Sequence, residues 1–203
     1  MEAARRIPSI KKALFKIHCD LDTVARNSSW WKNYRDLSDI EVLVLLLEDR
    51  RFFEHRGVDW RSVLRELIKA LMFKKHGGAS TIDMQFVRTK TGFKERTLRR
   101  KFYEMVLAFF LQYRMNKLAI LRSYLSIAYL GHGIRGTDQA AEMIFGKAIS
   151  ELDLRENAMI AAMMVYPYPK NPNSRWQGKM VARAEYGLKL FAKFAHGYKQ
   201  RLE

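Results

Sequence analysis

The segment EDRRFFEHRGVD, residues 48–59, places two adjacent carboxylates directly after a strongly apolar run. Glu48 and Asp49 are followed by two aromatic residues, by His55 and by a glycine turn. Burial beside apolar groups raises the pKa of a carboxyl group and a nearby arginine lowers it, so this type of environment can tune a glutamate to act as a general base. A solvated helix end is the simpler alternative, and the residues alone leave both open.

A second carboxylate, Glu104, lies in RRKFYEMVLAFF, where the sequence turns from basic to apolar. This position predicts a partly buried side chain near Arg100 and Lys101. Lys101 precedes Glu104 by three residues and shares its helix face, so a structural ion pair is the alternative to a chemical role. Two carboxylates in one cleft are a recurrent arrangement for chemistry at a glycosidic carbon.

Positive charge is concentrated between these two carboxylates. Residues 88–101 contain seven basic residues and one acidic residue, a local net charge of +6. Such a run is often only a solvated helix face. The preceding GGASTIDMQ, however, combines a flexible backbone, hydroxyl groups and a helix start, which suit the binding of phosphate oxygens. The lysine spacing of a P-loop is absent, so a nucleoside triphosphate is not indicated.

The composition of the 203 residues fits one main globular domain. The net charge of +16 predicts an anionic partner, such as nucleic acid, an acidic membrane surface or a phosphorylated substrate. The single cysteine, Cys19, excludes an intrachain disulfide, and the histidines lack the HExxH spacing of a zinc site. We expect no membrane-spanning helix and no secretory signal, because no apolar run is long enough and no cleavage site follows one.

The pattern of apolar residues predicts an all-α fold, since three of the four prolines cluster between residues 167 and 172. An amphipathic helix over 11–26 is interpreted as either a packing helix or a membrane-surface helix. A central helix is expected through IEVLVLLLED, with Ser38 or Asp36 as its cap. The next helix is expected to run from the cap Asp59 to Gly77–Gly78, and another to start at Ser80 or Thr81. The remaining expected helices are one over 93–115, one from the cap Asn116 to Gly131, a pair near 137–165 and a basic one near 177–195.

Five segments, in order along the chain, resemble the motifs of peptidoglycan glycosyltransferases. They are EDRRFFEHRGVD, GASTIDMQ, RRKFYE, KLAILRSYLSIAYLG and a proline-rich NP loop. These glycosyltransferases are the family 51 transglycosylase domains of class A penicillin-binding proteins and of their monofunctional relatives. The resemblance covers roughly residues 37–190. It implies a mainly helical, lysozyme-like globular lobe with a small membrane-contacting jaw, formed by residues 37–203 and preceded by a basic amphipathic segment over residues 1–36.

The resemblance also implies an activity, the inverting polymerisation of lipid II into β-1,4-linked glycan strands with release of undecaprenyl diphosphate. Glu48 matches the catalytic base that deprotonates the acceptor hydroxyl, and Glu104 matches the second catalytic glutamate. The positions implied to orient or neutralise the diphosphate are Ser80, Thr81, Gln85, Arg88, Arg100 and Lys101. The remaining positions of the first motif, which are expected to support the shape of the substrate site, are Asp49, Phe52 and His55.

Four residues depart from the family pattern. Asp83 and Met84 replace a threonine and a glutamine of STITQQ, Arg122 stands where a glutamate is common, and Ser126 stands where an asparagine is common. A carboxylate beside a diphosphate is electrostatically unfavourable unless it points away or binds a cation. We predict no metal ligands, and the sequence leaves open whether Mg²⁺ or Mn²⁺ takes part.

The resemblance implies a place for the protein at the outer, periplasmic face of the bacterial cytoplasmic membrane. Its implied partners are lipid II, the growing glycan strand, the anionic membrane surface and a transpeptidase or other cell-wall synthesis protein. A lytic glycosidase and a catalytically weakened lipid II-binding scaffold are the alternatives within this setting. A helical nucleic-acid-binding protein would explain the charge, but no recognition motif supports it and nucleic acid is not an expected partner.

Overall fold

A computed structural model describes residues 10–25, 36–72, 78, 80–92 and 97–200 of the chain. Helices dominate these ranges, which confirms the prediction of an all-α fold. The two strands β1 (Tyr129–Gly131) and β2 (Ile134–Arg135) form a small antiparallel hairpin. The helices are α1 (Ile10–Ala25), α2 (Asp39–Glu48), α3 (Trp60–Leu71), α4 (Ile82–Thr91), α5 (Leu98–Leu111), α6 (Lys117–Leu125), α7 (Thr137–Phe145), α8 (Leu154–Ala162) and α9 (Ser174–Gln200), with short 3₁₀ turns at Phe52–Glu54 and Ile149–Glu151.

Helix α2 lies at the centre of the fold. It begins after Ser38, whose backbone N–H donates to the Glu41 carboxylate at 2.8 Å in a capping arrangement. The structure therefore selects Ser38 over Asp36 as the cap. All residues from 40 to 46 are buried, as the continuous apolar run predicts. Helices α8 and α9 pack against α2, and this packing fixes the direction in which its carboxyl end points.

Helix α4 is packed against α1, α5 and α6. Thr81 caps it, because the Thr81 hydroxyl accepts a hydrogen bond from the backbone N–H of Met84 at 3.3 Å. Leu21 and Val24 of α1 are buried, so the described part of this amphipathic helix packs on the domain. The boundary between a separate segment over 1–36 and the domain stays a prediction.

The prediction of one helix from Asn116 to Gly131 is wrong at its end. Asn116 caps α6 as expected, but the helix ends at Leu125 and the chain forms the β1–β2 hairpin. Gly136 has a φ of +82° and packs so closely that a Cβ atom would lie 2.4 Å from the Ser126 carbonyl oxygen. The proline-rich loop also pairs with the hairpin, since the Tyr168 N–H donates to the Leu130 carbonyl at 2.8 Å. These long-range contacts override the helical pattern.

Helix α3 carries an apolar stripe that faces away from the core. Asp59 precedes this helix and accepts a hydrogen bond from the Arg61 N–H at 3.1 Å, in agreement with its predicted capping role. The helix ends at Leu71, and residues 73–77 of the predicted continuation to Gly77–Gly78 lie outside the described residues. The exposed residues of this α3 stripe, each at least 48% accessible, are Trp60, Leu64, Leu67, Ile68 and Leu71.

None of the helices in the described ranges combines the length and the apolar character needed to cross a lipid bilayer.

Candidate active site

Glu48 is the last residue of α2, so the central helix delivers it from the core to the edge of the domain. Its side chain keeps only 14% of its surface accessible. One carboxylate oxygen, Oε1, lies 3.1 Å from Nη2 of Arg183 on α9. No residue in the described ranges donates a hydrogen bond to the second oxygen, Oε2. The carboxylate is therefore held on one side and open on the other.

Asp49 connects the first motif to the beginning of α4. Its carboxylate accepts a hydrogen bond from the Ile82 backbone N–H at 3.1 Å and contacts Nε2 of His55 at 3.1 Å. Phe52 has no accessible surface and packs edge-on against the His55 ring. Thr81, also buried, donates its hydroxyl to the Gly57 carbonyl at 2.6 Å. These predicted site residues lie in the interior, where they fix the turn after Glu48.

Asp83 points into the protein and away from solvent, which resolves the electrostatic conflict raised by this departure from the family pattern. The Asp83 carboxylate has no accessible surface and accepts hydrogen bonds from the Lys117 ammonium, at 2.9 Å to Oδ2, and from the Gln112 amide. Burial raises the pKa of Asp83 and lowers the pKa of Lys117. We call Asp49, His55, Asp83 and Lys117 the inner network.

Within the described ranges, Asp49, His55 and Asp83 are the one group whose donor atoms, all within 4.8 Å of one another, could hold a metal ion. The Lys117 ammonium already contacts both oxygens of Asp83. A divalent cation in this group would have to displace Lys117 or lie beside a like charge. The inner network is thus a poor fit for a resident metal ion, because the Lys117 ammonium already occupies the Asp83 carboxylate.

Arg122, a second departure, is also paired internally. Its Nε lies 2.6 Å from Oε1 of Glu41, and its Nη2 donates to the Asp36 carbonyl at 2.9 Å. Ser126 donates its hydroxyl to the Ser123 carbonyl at 3.0 Å. Met84, the remaining departure, is fully buried in the core. None of these three side chains introduces an unpaired charge.

The second carboxylate, Glu104, is surrounded by cations from two helices. It has no accessible surface, which is more burial than the sequence predicts. Nε of Arg100 lies 3.2 Å from its Oε1, and Nε of Arg88 on α4 lies 3.9 Å away. Neither oxygen of Glu104 has a well-aligned hydrogen-bond donor among the described residues. We call Arg88, Arg100, Lys101 and Glu104 the cationic cluster, with three positive charges and one negative charge.

Lys101 forms a different contact from the ion pair that its spacing from Glu104 suggests. Its ammonium donates to the Ser80 hydroxyl at 2.6 Å, so Ser80 lies at the cationic cluster as expected. Burial lowers the pKa of Lys101; Glu104 opposes this shift, and the charges of Arg88 and Arg100 add to it. A lysine held in this way beside other cations is well suited to meet an anionic ligand.

Tyr124 connects the surroundings of Glu48 to those of the cationic cluster. Its hydroxyl donates to Oε1 of Gln85 at 2.7 Å. Burial raises the pKa of Tyr124, the negative charge of Glu48 raises it further, and the positive charge of Arg88 opposes the shift. Tyr124 thus bonds to Gln85 and is influenced by the charges of both Glu48 and Arg88, which relates the two parts of the predicted site.

The sequence pattern of the family described as Transglycosylase matches residues 19–191. The chain belongs to the transglycosylase family. This membership confirms the resemblance drawn from the five ordered motifs.

Similar proteins include both short and long chains. The biosynthetic peptidoglycan transglycosylase of Alcanivorax borkumensis is 34% identical over 139 residues, which are 68% of this chain and 57% of that protein. Penicillin-binding protein 1A of Escherichia coli is 42% identical over 127 residues, 62% of this chain and 15% of that protein. Its counterpart in Clostridium tetani is 32% identical over 154 residues, 73% of this chain and 19% of that protein. The chain therefore matches just over half of the short relative and less than a fifth of the long ones.

The motif-based predictions for this member of the transglycosylase family omit two charged side chains of the site. Arg183 contacts Glu48 from a helix that the sequence shows only as basic, and the interacting residues are 135 positions apart. Lys117 opens the fourth motif, but its buried partner Asp83 follows from packing and not from spacing. The signal that could have pointed to Lys117 was Asp83 itself, because a carboxylate new to a buried position requires a compensating charge.

Proposed function

We propose that this chain is a peptidoglycan glycosyltransferase domain that polymerises lipid II. The observation that carries the proposal is the presence, in one domain, of a glutamate held at one oxygen and open at the other and of the cationic cluster with its net charge of +2, with Tyr124 influenced by both. A general base and a site for an anionic leaving group are the two requirements of sugar transfer from a diphosphate donor. The family membership and the peptidoglycan transglycosylase of A. borkumensis support the same substrate class.

In the proposed reaction, Oε2 of Glu48 takes the proton from the 4-hydroxyl of the acceptor N-acetylglucosamine. The hydroxyl oxygen attacks the anomeric carbon of the terminal muramoyl unit of the donor strand, and its lone pair forms the new C–O bond. The bond between that carbon and the diphosphate breaks with its electron pair on the diphosphate oxygen. Attack from the opposite face inverts the anomeric carbon and gives the β-1,4 linkage.

The proposed roles of the other residues follow from their contacts. Arg88 and Lys101 neutralise the negative charge that develops on undecaprenyl diphosphate, and Ser80 holds Lys101 in place. Arg100 is directed mainly at Glu104, whose negative charge keeps the three cations together. Gln85 accepts a hydrogen bond from Tyr124 and orients this side chain between Glu48 and the cationic cluster. The buried residues that we assign to the shape of the site, without substrate contact, are Asp49, Phe52, His55 and Thr81.

The test of this function is incubation with labelled lipid II in detergent, followed by separation of glycan strands and digestion of the product with lysozyme. We expect lysozyme-sensitive polymer from the wild-type chain. Glu48→Gln should reduce turnover by at least about 10²–10⁴-fold at unchanged thermal stability, because an amide cannot accept the proton. Cleavage of preformed glycan would indicate a lytic glycosidase, and binding without turnover a scaffold; either result contradicts the proposal.

We further propose that the domain acts at the outer face of the cytoplasmic membrane and contacts lipid through the α3 stripe. An exposed apolar helix face of this size is typical of an interaction surface, and basic residues on α3 favour anionic headgroups. Leu67→Gln with Leu71→Gln should weaken sedimentation with anionic liposomes. The matched control, Met143→Gln with Val165→Gln, removes exposed apolar side chains elsewhere and should bind normally. Equal binding of both double variants would refute the role of α3.

A transpeptidase partner is part of the same proposal. Penicillin-binding protein 1A of E. coli shares this domain within a much longer chain. Crosslinking of glycan strands is a reaction separate from their polymerisation, and a transpeptidase would supply it. Addition of a purified transpeptidase domain to the lipid II reaction should convert soluble strands into crosslinked product.

A further inference from the structure

The carboxyl end of α2 is held by two arginines. Nε of Arg50 donates to the Leu46 carbonyl at 3.1 Å, and Nη2 of Arg183 donates to the Leu47 carbonyl at 2.8 Å. Both carbonyls belong to the last turn, where a helix has no backbone donor left for them and where positive charge is favourable. The chain therefore closes the helix that ends at Glu48 with side chains from outside it.

Arg183 makes one contact that Arg50 does not. The same Nη2 that binds the Leu47 carbonyl lies 3.1 Å from Oε1 of Glu48. Its Nε is buried and has no acceptor among the described residues, so the hydrogen bonds made by this guanidinium run through Nη2. One nitrogen atom thus ties the Glu48 side chain to the backbone of its own helix.

Gly187 allows this contact by its lack of a side chain. It lies one turn after Arg183 on α9 and packs against Leu47 of α2. A Cβ atom at this position would lie 3.1 Å from Cδ1 of Leu47, closer than ordinary van der Waals contact. The two helices can therefore approach closely enough for Arg183 to reach the end of α2.

We propose that Arg183 is the positioning residue for the catalytic base. By binding both Oε1 of Glu48 and the Leu47 carbonyl through Nη2, it selects the side-chain rotamer that presents Oε2 to the acceptor hydroxyl. This inference rests on the proposed function, because it gives a role to Arg183 only if Glu48 is the base. The effect belongs to the chemical step and leaves the binding of lipid II unchanged.

The first test compares Arg183→Met with Lys189→Met, which removes an exposed positive charge from another face of α9. Arg183→Met should lower kcat by about 10- to 100-fold, the value of a charge-assisted hydrogen bond, with KM for lipid II changed by less than about twofold. Lys189→Met should behave as the wild type. A raised KM at unchanged kcat would show that Arg183 binds substrate, and an unchanged kcat would show that it does not act; both overturn the inference.

The second test separates positioning from structural support. Arg183→Ala should regain part of its turnover when guanidinium is added at a non-denaturing concentration, since the small cation can occupy the vacated position. Absence of rescue together with a large fall in Tm would mean that Arg183 only stabilises the fold. Guanidinium should not rescue Glu48→Gln.

A double-variant comparison distinguishes this inference from the proposed function. If Arg183 acts through Glu48, then Arg183→Met should cost nothing further in a Glu48→Gln background. Wild-type turnover of Glu48→Gln alone would refute the proposed function. An inactive Glu48→Gln combined with additive loss on removal of Arg183 would leave the proposed function standing and refute the positioning role.

Discussion

The inner network and the cationic cluster each combine carboxylates with positively charged side chains, and they differ in how completely the carboxylates are hydrogen-bonded. In the inner network, Asp83 is fully buried and is bonded by Lys117 and Gln112, while Asp49 is bonded by a backbone N–H and by His55. In the cationic cluster, Glu104 is equally buried, yet its oxygens lack aligned donors although Arg88 and Arg100 lie within 4 Å.

This difference separates side chains that support the backbone from side chains to which we assign ligand binding. In the inner network both carboxylates are hydrogen-bonded within the chain, so this network fixes the backbone around Glu48. An excess of positive charge that is only partly solvated gains free energy when an anion arrives. Asp83 and Arg122, which depart from the family pattern, are both paired with side chains inside the protein. They therefore leave the cationic cluster unchanged.

The largest expected effect comes from breaking the inner network. Lys117→Met should lower the free energy of unfolding by about 3–5 kcal/mol, since it leaves the buried Asp83 carboxylate without its counter-ion. For a chain of this size we expect a fall in Tm of roughly 6–20 °C. Thermal unfolding measures this directly, and Asp83→Asn combined with Lys117→Met should recover much of the loss.

The pH dependence of that variant sharpens the prediction. Burial raises the pKa of Asp83 above its unfolded value of 3.8, so the folded state binds the proton more tightly than the unfolded chain does. The instability of Lys117→Met should therefore shrink as the pH falls through the raised pKa and grow as the pH rises through it. A loss of stability independent of pH would contradict the assignment of an uncompensated charge.

The cationic cluster should respond in activity and not in stability. Arg88→Met or Lys101→Met should each lower kcat/KM by about 10- to 150-fold, as expected for loss of one charge-assisted contact to phosphate. Tm should change far less than in Lys117→Met, because removal of Arg88 or Lys101 relieves repulsion among the cations and leaves Arg100 beside the buried Glu104. Lys90→Met, in the same basic run, is the control. Wild-type polymerisation by both variants would exclude this cluster as the diphosphate site.

A smaller effect is expected on the alkaline side of the pH profile. Because the pKa of Lys101 is below the 10.5 of a free lysine, this side chain loses its charge at a lower pH than an exposed lysine does. The kcat/KM of the wild type should fall as Lys101 deprotonates. Lys101→Arg should move this fall to higher pH, since a guanidinium stays charged. Identical alkaline limbs in the two proteins would show that another group titrates.

The smallest expected effect concerns the contact between Ser80 and Lys101. Ser80→Ala removes one hydrogen bond to the ammonium and should lower kcat/KM by about 3- to 10-fold. Ser126→Ala, which removes a hydroxyl bonded to a local carbonyl, is the matched control. A loss as large as that of Lys101→Met would mean that Ser80 itself contacts the substrate.

The sequence was most informative where structure is determined locally. Asn116 was recognisable as a cap, and Ser38 and Thr81 were each one of two candidates, because a cap depends on residues within three positions of it. The central burial of α2 followed from its uninterrupted apolar residues. The end of α6 could not be predicted, since the hairpin depends on contacts with Ser126 and Tyr168 that spacing does not encode.

In the candidate site, too, contacts within one helix could be predicted and contacts between helices could not. Proximity of Arg100 to Glu104 was predictable from one helical turn, whereas the approach of Arg88 depends on how α4 packs against α5. The apolar spacing of Leu67 and Leu71 predicted a helix correctly but could not say whether that face meets the core or the surface. The contact between Arg183 and Glu48 required the tertiary structure, because no local pattern relates positions so far apart.

Helix α9 touches the region of Glu48 at several successive points. Arg183 bonds to Leu47 and Glu48, Tyr186 accepts a hydrogen bond from Arg50, and the Tyr198 hydroxyl donates to the Arg50 carbonyl. With 27 residues, α9 is a rod about 40 Å long. A crosslink that displaces α9 along its axis should therefore alter the surroundings of Glu48, so this helix offers a way to control the proposed reaction from outside the site.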